Sequence, residues 1–354
     1  INCGVRTLLT PFTHSEIKDK IEALIQEIYN NVPAGVGLKG KLRLNRNELE
    51  KVAREGAKWA VSQGLGLEDD LESIEDYGAL PQGSLEYVSS TAIQRGLPQL
   101  GTLGSGNHFL EIQKVVAIYD NETAEKFGLF ENQITVMVHT GSRGFGHQVC
   151  EDYIQRMQSA MDKYKIKLPD RQLASAPVNS KEGRQYISAM AAAANYAWCN
   201  REIITQYVRD AFNHILKIKH SELKLLYDVA HNIAKFEKHR VNGDYKTLVV
   251  HRKGATRAFP AGNPVLPERY KDTGQPVIIP GDMGTASYIL VGLEDSMRES
   301  FGTVCHGAGR VMSRHKAKKI ANKEKLYKEM RDKGIVLKST GWRSVAEEIP
   351  EAYK

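Results

Sequence analysis

Three short runs in the chain, ITVMVHTGS, KLLYDVAHN and GTVCHGAG, share one grammar: β-branched or apolar residues lead to a histidine, and small or polar residues follow. Each run predicts a strand ending at His139, His231 or His306. Strand ends open into clefts, where a side chain is held on a rigid element yet can face a ligand. A fold that presents an imidazole at three such ends is constrained more by that pattern than by its composition.

Further runs at His108 to Tyr119, Thr247 to His251 and Val277 to Pro280 predict additional strands. Helical patterns lie between them. Thr13 and Glu16 make a capping box ahead of Ile17, Ile21, Leu24, Ile25 and Ile28, and the pattern stops at Asn30, Asn31 and Pro33. Other helices are expected from about Asn47 to Ser62, from Glu182 to Leu216 with one break, and from Lys323 to Lys333. Helices and strands interleave over 354 residues with no internal repeat or low-complexity linker. The expectation is an α+β (mixed α/β) fold, residues 1–354 forming a single large domain with β-sheets flanked by helices and an active-site cleft at strand ends.

Composition excludes several classes. No apolar run approaches the roughly 18–20 residues that cross a bilayer, so no membrane partner is expected. Cys3, Cys150, Cys199 and Cys305 contain no C-x-x-C pair, and a cytoplasmic setting with reduced thiols is expected. Between Arg310 and Lys333, ten Lys or Arg face three acids, so this window carries the whole formal charge of +7. Such a stretch suits a phosphate-rich partner and equally suits a solvated helical face. The chain opens on Ile1 and INCGVR and closes on EEIPEAYK, which reads as the interior of a longer polypeptide.

Two glycine-rich loops invite nucleotide readings that fail on detail. GTLGSGNHFLEI has the order G-x-x-G-x-G and leads into a strand, so it is not a dinucleotide fingerprint. It does bring Asn107, His108 and Glu111 behind a turn whose amides can approach phosphate. GVGLKGK places Leu42 where a P-loop needs a hydroxyl.

The remaining candidates are imidazoles, a thiol and cationic turns. Cys3, His108, His139 and His231 form a borderline-metal ligand set only if the fold gathers them, because none has local ligand spacing. Each of them singly is also explained as a buried, hydrogen-bonded residue. HTGSRGFGH adds Ser142, Arg143 and His147, and HRKGATRAF is a compact cationic turn. The loop PGDMGTASY, from Pro280 to Tyr288, could wrap a purine or its ribose. In CHGAGRVMSR, His306 precedes Gly307, Ala308 and Gly309, with Arg310 and Arg314 expected on the first turns of a helix, an arrangement suited to anions. A histidine at that position can act as nucleophile or general base toward phosphorus.

Taken in order, INCGVR, GLPQLGTLGSGNHFLEI, HTGSRGFGH, DVAHNIAKFEKH, HRKGATRAFP, PGDMGTASY and CHGAGR resemble the RtcB family of GTP-dependent RNA-splicing ligases, and the similarity runs over essentially the whole chain. The resemblance implies an enzyme that joins RNA 2′,3′-cyclic phosphate or 3′-phosphate ends to 5′-hydroxyl ends in tRNA splicing and RNA repair. It implies GTP and two Mn2+ ions as cofactors, RNA as partner, and an activating protein of the archease type. By this resemblance His306 is the residue that becomes guanylylated, and Cys3, His108, His139 and His231 are the manganese ligands. Asn107, His108, Glu111, His231, Asn232, Pro280, Gly281, Asp282, Met283, Ser287, His306, Gly307, Ala308 and Gly309 line the guanylate site, and Arg143 and Arg310 hold RNA phosphates.

Three departures accompany it. The family's Asp ahead of INCGVR and its Lys past the last residue lie outside these 354 residues, and Asp282 stands where some relatives carry Ser. K-x-D-G, the lysine signature of the other large nucleotidyltransferase class, is absent. The competing readings are a metal-dependent cyclic phosphodiesterase using the same ligands without nucleotide, and a non-catalytic RNA-binding subunit resting on the basic window.

Overall fold

The computed structural model describes residues 1–170 and 173–353. Its centre is a six-stranded antiparallel sheet built from β1 (Cys3–Thr13), β2 (Phe109–Lys114), β3 (Gln133–Thr140), β4 (Lys224–Val241), β5 (Asp244–Arg257) and β8 (Thr303–Cys305). These strands lie side by side in the order β2-β3-β1-β4-β5-β8. A separate pair, β6 (Pro276–Ile279) and β7 (Tyr288–Val291), brackets the PGDMGTASY loop. The fold is the expected mixed α+β class.

Strand alternation divides the sheet into two unlike faces. Leu8, Ile134, Val136, Val138 and Leu225 point to one face and pack on Ala193, Ala194, Trp198 and Ile204 of the helix Lys181–Leu216. Val5, Leu9, Met137, Tyr227 and Val229 point to the other and meet Phe127, Tyr270 and Ile278. The long helix has 36 residues and runs unbroken, about 54 Å at 1.5 Å per residue. The break expected in it is absent because its alanine-rich middle is buried all round and needs no change of face.

Other expectations shift in detail. The capping box is present, with Thr13 N–H donating to Glu16 at 2.7 Å, but the helix behind it comes in pieces: His14–Ile17, a 3-10 turn at Lys18–Lys20, and Ile21–Asn31. The helix expected from Asn47 to Ser62 divides at Gly56, whose φ of +58° is left-handed, into Arg46–Glu55 and Ala57–Ser62. KLLYDVAHN does not end its strand: β4 continues ten residues past His231, and a bulge with Asn232 at φ +60° turns the chain there. Arg310 lies outside any helix; the helix begins at Arg314 behind a Ser313 cap. The segment from Arg314 to Ala352 builds a small core of its own from Ala317, Leu326, Met330, Val345, Ile349 and Ala352. No helix among the described residues is long and apolar enough to cross a membrane.

Candidate functional site

The ladder registers assemble the site. In the β1–β4 ladder Cys3 stands opposite His231, and in the β1–β3 ladder Val5 stands opposite His139. Cys3, His139 and His231 therefore share the face turned away from the long helix. Gly4 and Gly141 make the close approach possible. A Cβ on Gly4 would lie 2.6 Å from Arg201 Cζ and from Val229 O, and one on Gly141 would lie 2.8 Å from Cys3 Cα.

Cys3 Sγ lies 3.2 Å from His139 Nε2 and 3.4 Å from His108 Nε2, and the Nε2 atoms of His139 and His231 are 3.1 Å apart. Ligands bonded tetrahedrally at about 2.0–2.3 Å are separated by about 3.3–3.7 Å, so these spacings approach the edges of a coordination shell. Cys3, His139 and His231 satisfy the geometry for one ion. The Cys3 thiol is thus within contact of both His108 and His139, whose ring centroids are 6.0 Å apart.

Burial sets the protonation of these groups. It pushes His139 down to about 3, reinforced by His306 and Arg201, and pushes His108 and His231 well below the ordinary histidine range, with neighbouring His139 adding to both. Three neutral imidazoles result, which is the state that ligates. The Cys3 thiol is raised to about 11 by burial, against the pull of Arg201 and Arg143; a bound cation deprotonates such a thiol. His139 Nδ1 and His231 Nδ1 are buried without a partner. Thr140 Oγ1 sits 3.2 Å from His108 Nδ1 and can take that proton, leaving Nε2 free.

His306 follows β8 directly. Cys305 pairs with Ala255 while Thr256 pairs with His231, so β5 carries His306 to the cluster, and the His231 and His306 ring centroids are 4.5 Å apart. Asn232 accepts from Gly254 N–H at 2.9 Å, closing the bulge beside them.

The second half of the site surrounds Glu111. Burial raises its carboxyl to about 7; the Gln113 amide opposes this and the Asp282 charge adds to it. Gln113 Nε2 donates to Glu111 Oε2 at 2.7 Å and to Ser287 Oγ at 3.3 Å, and Ser287 Oγ accepts from Gly281 N–H at 3.1 Å. Asp282 is spent within its own turn, accepting from Gly284 N–H at 2.7 Å. Gly307 is set against Pro280, and Met283 packs on the carboxy-terminal core. Ala308 continues the loop, and a Cβ on Gly309 would meet open space.

Of the arginines, Arg143 donates to Thr102 Oγ1 and to Gly35 O at 2.8 Å. Arg310 is turned inward, to Glu348 at 2.8 Å, Tyr353 Oη, Glu347 O and Met312 O. Arg314 is 49% exposed and reaches Asn107 Oδ1 at 3.2 Å. Gln113, Thr140, Arg201 and Glu348 escape sequence reasoning, because each acts on a partner chosen by the fold and no motif marks it.

The site defines a class: a mixed α/β protein with a thiol and three imidazoles converging beside a fourth, and a polar pocket adjoining. Comparison with known proteins narrows it. The family model described as tRNA-splicing ligase RtcB matches residues 1–354. The chain belongs to that family. It is 53% identical over 356 residues to the tRNA-splicing ligase RtcB of Thermococcus kodakarensis and 54% identical over 356 residues to that of Archaeoglobus fulgidus, covering 100% of this chain and 74% of each relative. The Nanoarchaeum equitans relative of the same name is 54% identical over 357 residues, again covering 100% of this chain and 74% of its own.

Proposed function

We propose that the chain is an RNA ligase acting in tRNA splicing and RNA repair, working through a guanylylated His306. The observation that carries this reading is the His306 ring, 4.5 Å from His231 at the edge of a buried thiol–imidazole cluster. An imidazole nitrogen can attack phosphorus without first losing a proton, because its lone pair is available at neutral pH. His306 attacks the α-phosphorus of GTP, the bond to the β-phosphate oxygen breaks, and pyrophosphate leaves. The phosphoramidate then passes guanylate to an RNA 3′-phosphate, freeing the histidine and leaving a 3′-pp-5′-G end. A 5′-hydroxyl attacks that end in line, loses its proton, and releases GMP as the phosphodiester forms. A 2′,3′-cyclic phosphate is first opened by water to the 3′-phosphate.

Cys3, His139 and His231 fit one transition-metal ion, and His108, 3.4 Å from the same thiol, would join a second, both manganese by family resemblance; bound there, the ions would neutralise phosphoryl oxygens and align leaving groups. Glu111 and Ser287 face the guanylate with the Pro280–Met283 loop, Asn107, Asn232 and Gly307–Gly309. Arg143 holds RNA phosphate, and Arg310 does so on exchanging Glu348 for it. The test is incubation with α-labelled GTP and Mn2+. The wild type is expected to gain an acid-labile, alkali-stable label and His306→Ala none; an unlabelled wild type that still opens cyclic phosphates would overturn the ligase in favour of a phosphodiesterase.

A further inference from the structure

Directly behind the thiol–imidazole cluster, on the opposite face of the same strands, lies Arg201 of the long helix, fully buried at 0% exposure. Its guanidinium makes five hydrogen bonds. Nε and Nη2 donate to Asp228 at 2.8 and 2.7 Å, Nη1 donates to Asn2 O at 3.1 Å and Thr140 O at 3.0 Å, and Nη2 also donates to Asn2 Oδ1 at 3.3 Å. These partners lie on three chain segments. Asn2 immediately precedes Cys3, Thr140 immediately follows His139, and Asp228 lies three residues before His231. Asn2 is held at φ +44°, and its N–H donates to the carbonyl of Asn232, the bulge residue after His231. Thus one side chain fixes the backbone carbonyls beside Cys3 and His139 and holds the carboxylate three residues ahead of His231 in β4.

We infer that Arg201 is a positioning residue for the metal cluster, setting the mutual spacing of Cys3, His139 and His231 through the carbonyls and carboxylate it ties together. The inference rests on the reading of these side chains as ligands. A planar fork is suited to this role because several fixed donors define directions to several acceptors, whereas an ammonium on a flexible stem defines none.

The same helix carries an internal control. Arg209 is also buried, donates to both Asp70 oxygens at 2.6 and 2.8 Å, and donates twice to Leu223 O. Its charge and burial match those of Arg201, but its carbonyl partner lies just ahead of β4, eight residues from His231. A purely structural role predicts that the two arginines behave alike.

The experiment titrates the metal-free protein with Co2+ and reads the thiolate-to-metal charge-transfer band and the dissociation constant, with neither nucleotide nor RNA present. Thermal midpoints are recorded for each variant. Arg201→Lys is expected to weaken Co2+ about tenfold or more and to change the band, while Arg209→Lys lowers the midpoint and leaves both readouts at wild-type values. Asn2→Gly, which tolerates the positive φ and keeps the guanidinium, is expected to give a smaller weakening in the same direction. It serves as the deciding variant if Arg201→Lys does not fold. Wild-type Co2+ binding in Arg201→Lys or in Asn2→Gly overturns the inference, and so does equal weakening in Arg209→Lys. Failure of the wild type to bind Co2+ removes the ligand cluster itself and is distinguishable from either result.

Discussion

The two faces of β1, β3 and β4 bury polar groups by opposite rules. Toward the long helix, Arg6 and Asp228 stand opposite each other in the ladder, Arg6 also pairs with Glu202 at 2.7 Å, and Asp228 is shared with Arg201. Opposite charges complete one another there. On the far face, Cys3, His108, His139 and His231 bring together like groups, sulfur and nitrogen lone pairs with no counter-charge among them. Buried ion pairs lose heavily when one partner is removed, because the other is left alone in low dielectric. A thiol and neutral imidazoles exchange only weak hydrogen bonds among themselves, and their remaining lone pairs suit a cation. The difference separates a face that pairs its charges from a face whose donor set suits a cation.

Asp228→Ala gives the largest expected effect. It leaves Arg201 buried without its carboxylate and Arg6 with Glu202 alone, and should destabilise the protein by about 3–5 kcal/mol, read by urea denaturation. Arg201 and Arg6 hold the Asp228 carboxyl below its usual range despite burial. Its contribution is therefore present above the normal carboxylate pKa and is lost as pH falls through the depressed value. Next comes Cys3→Ala, which should alter metal-free stability by about 1 kcal/mol or less. It should also abolish the stabilisation by Mn2+, which for the wild type at a hundredfold excess over Kd is about 2.7 kcal/mol. If Cys3→Ala destabilised the metal-free protein as much as Asp228→Ala, the contrast between the faces would collapse.

Glu111 sharpens the comparison, because it is a carboxyl on the ligand face with no cationic partner, opposite Met137 in the β2–β3 ladder. Its value is raised to about 7, so the stability it contributes is complete below the normal carboxylate range and is lost as pH rises through 7. An ionised carboxylate can accept two N–H groups from a guanine edge. GTP binding should accordingly tighten as pH rises from about 6 to 8, by up to about tenfold per unit, and Glu111→Gln should flatten that profile in a fluorescent-nucleotide titration. The smallest effect is expected at Asn45, whose side chain caps a helix by accepting from Glu48 N–H at 3.0 Å. Asn45→Ala should cost about 1 kcal/mol and leave Co2+ binding untouched, calibrating how far lost stability alone perturbs the cluster.

What could be read from the amino acids follows physical range. The capping box at Thr13 and the strand run before His139 depend on residues a few positions apart, and both recur in the fold. The candidate site residues were legible chiefly through family motifs, because Cys3 and His139 lie 136 residues apart and His139 and His231 lie 92 apart, distances at which no periodicity survives. β1 itself was not expected as a strand; residues 4–10 are buried on both faces, so exposed and buried positions do not alternate along it. Arg310 shows the converse: its motif position suggested an open anion holder, and the carboxylate that occupies it, Glu348, comes from a segment 38 residues on.

The position of β1 in the middle of the sheet has a consequence for synthesis. Both of its neighbours are made later, β3 after more than a hundred residues and β4 after more than two hundred. At about 5–20 residues per second, this strand waits roughly ten seconds or more for β4, with its backbone donors exposed to water or to a chaperone. The thiol and imidazoles of β1, β3 and β4 can meet only when the emerging polypeptide closes these long loops, so any ion held among them would be captured after that closure.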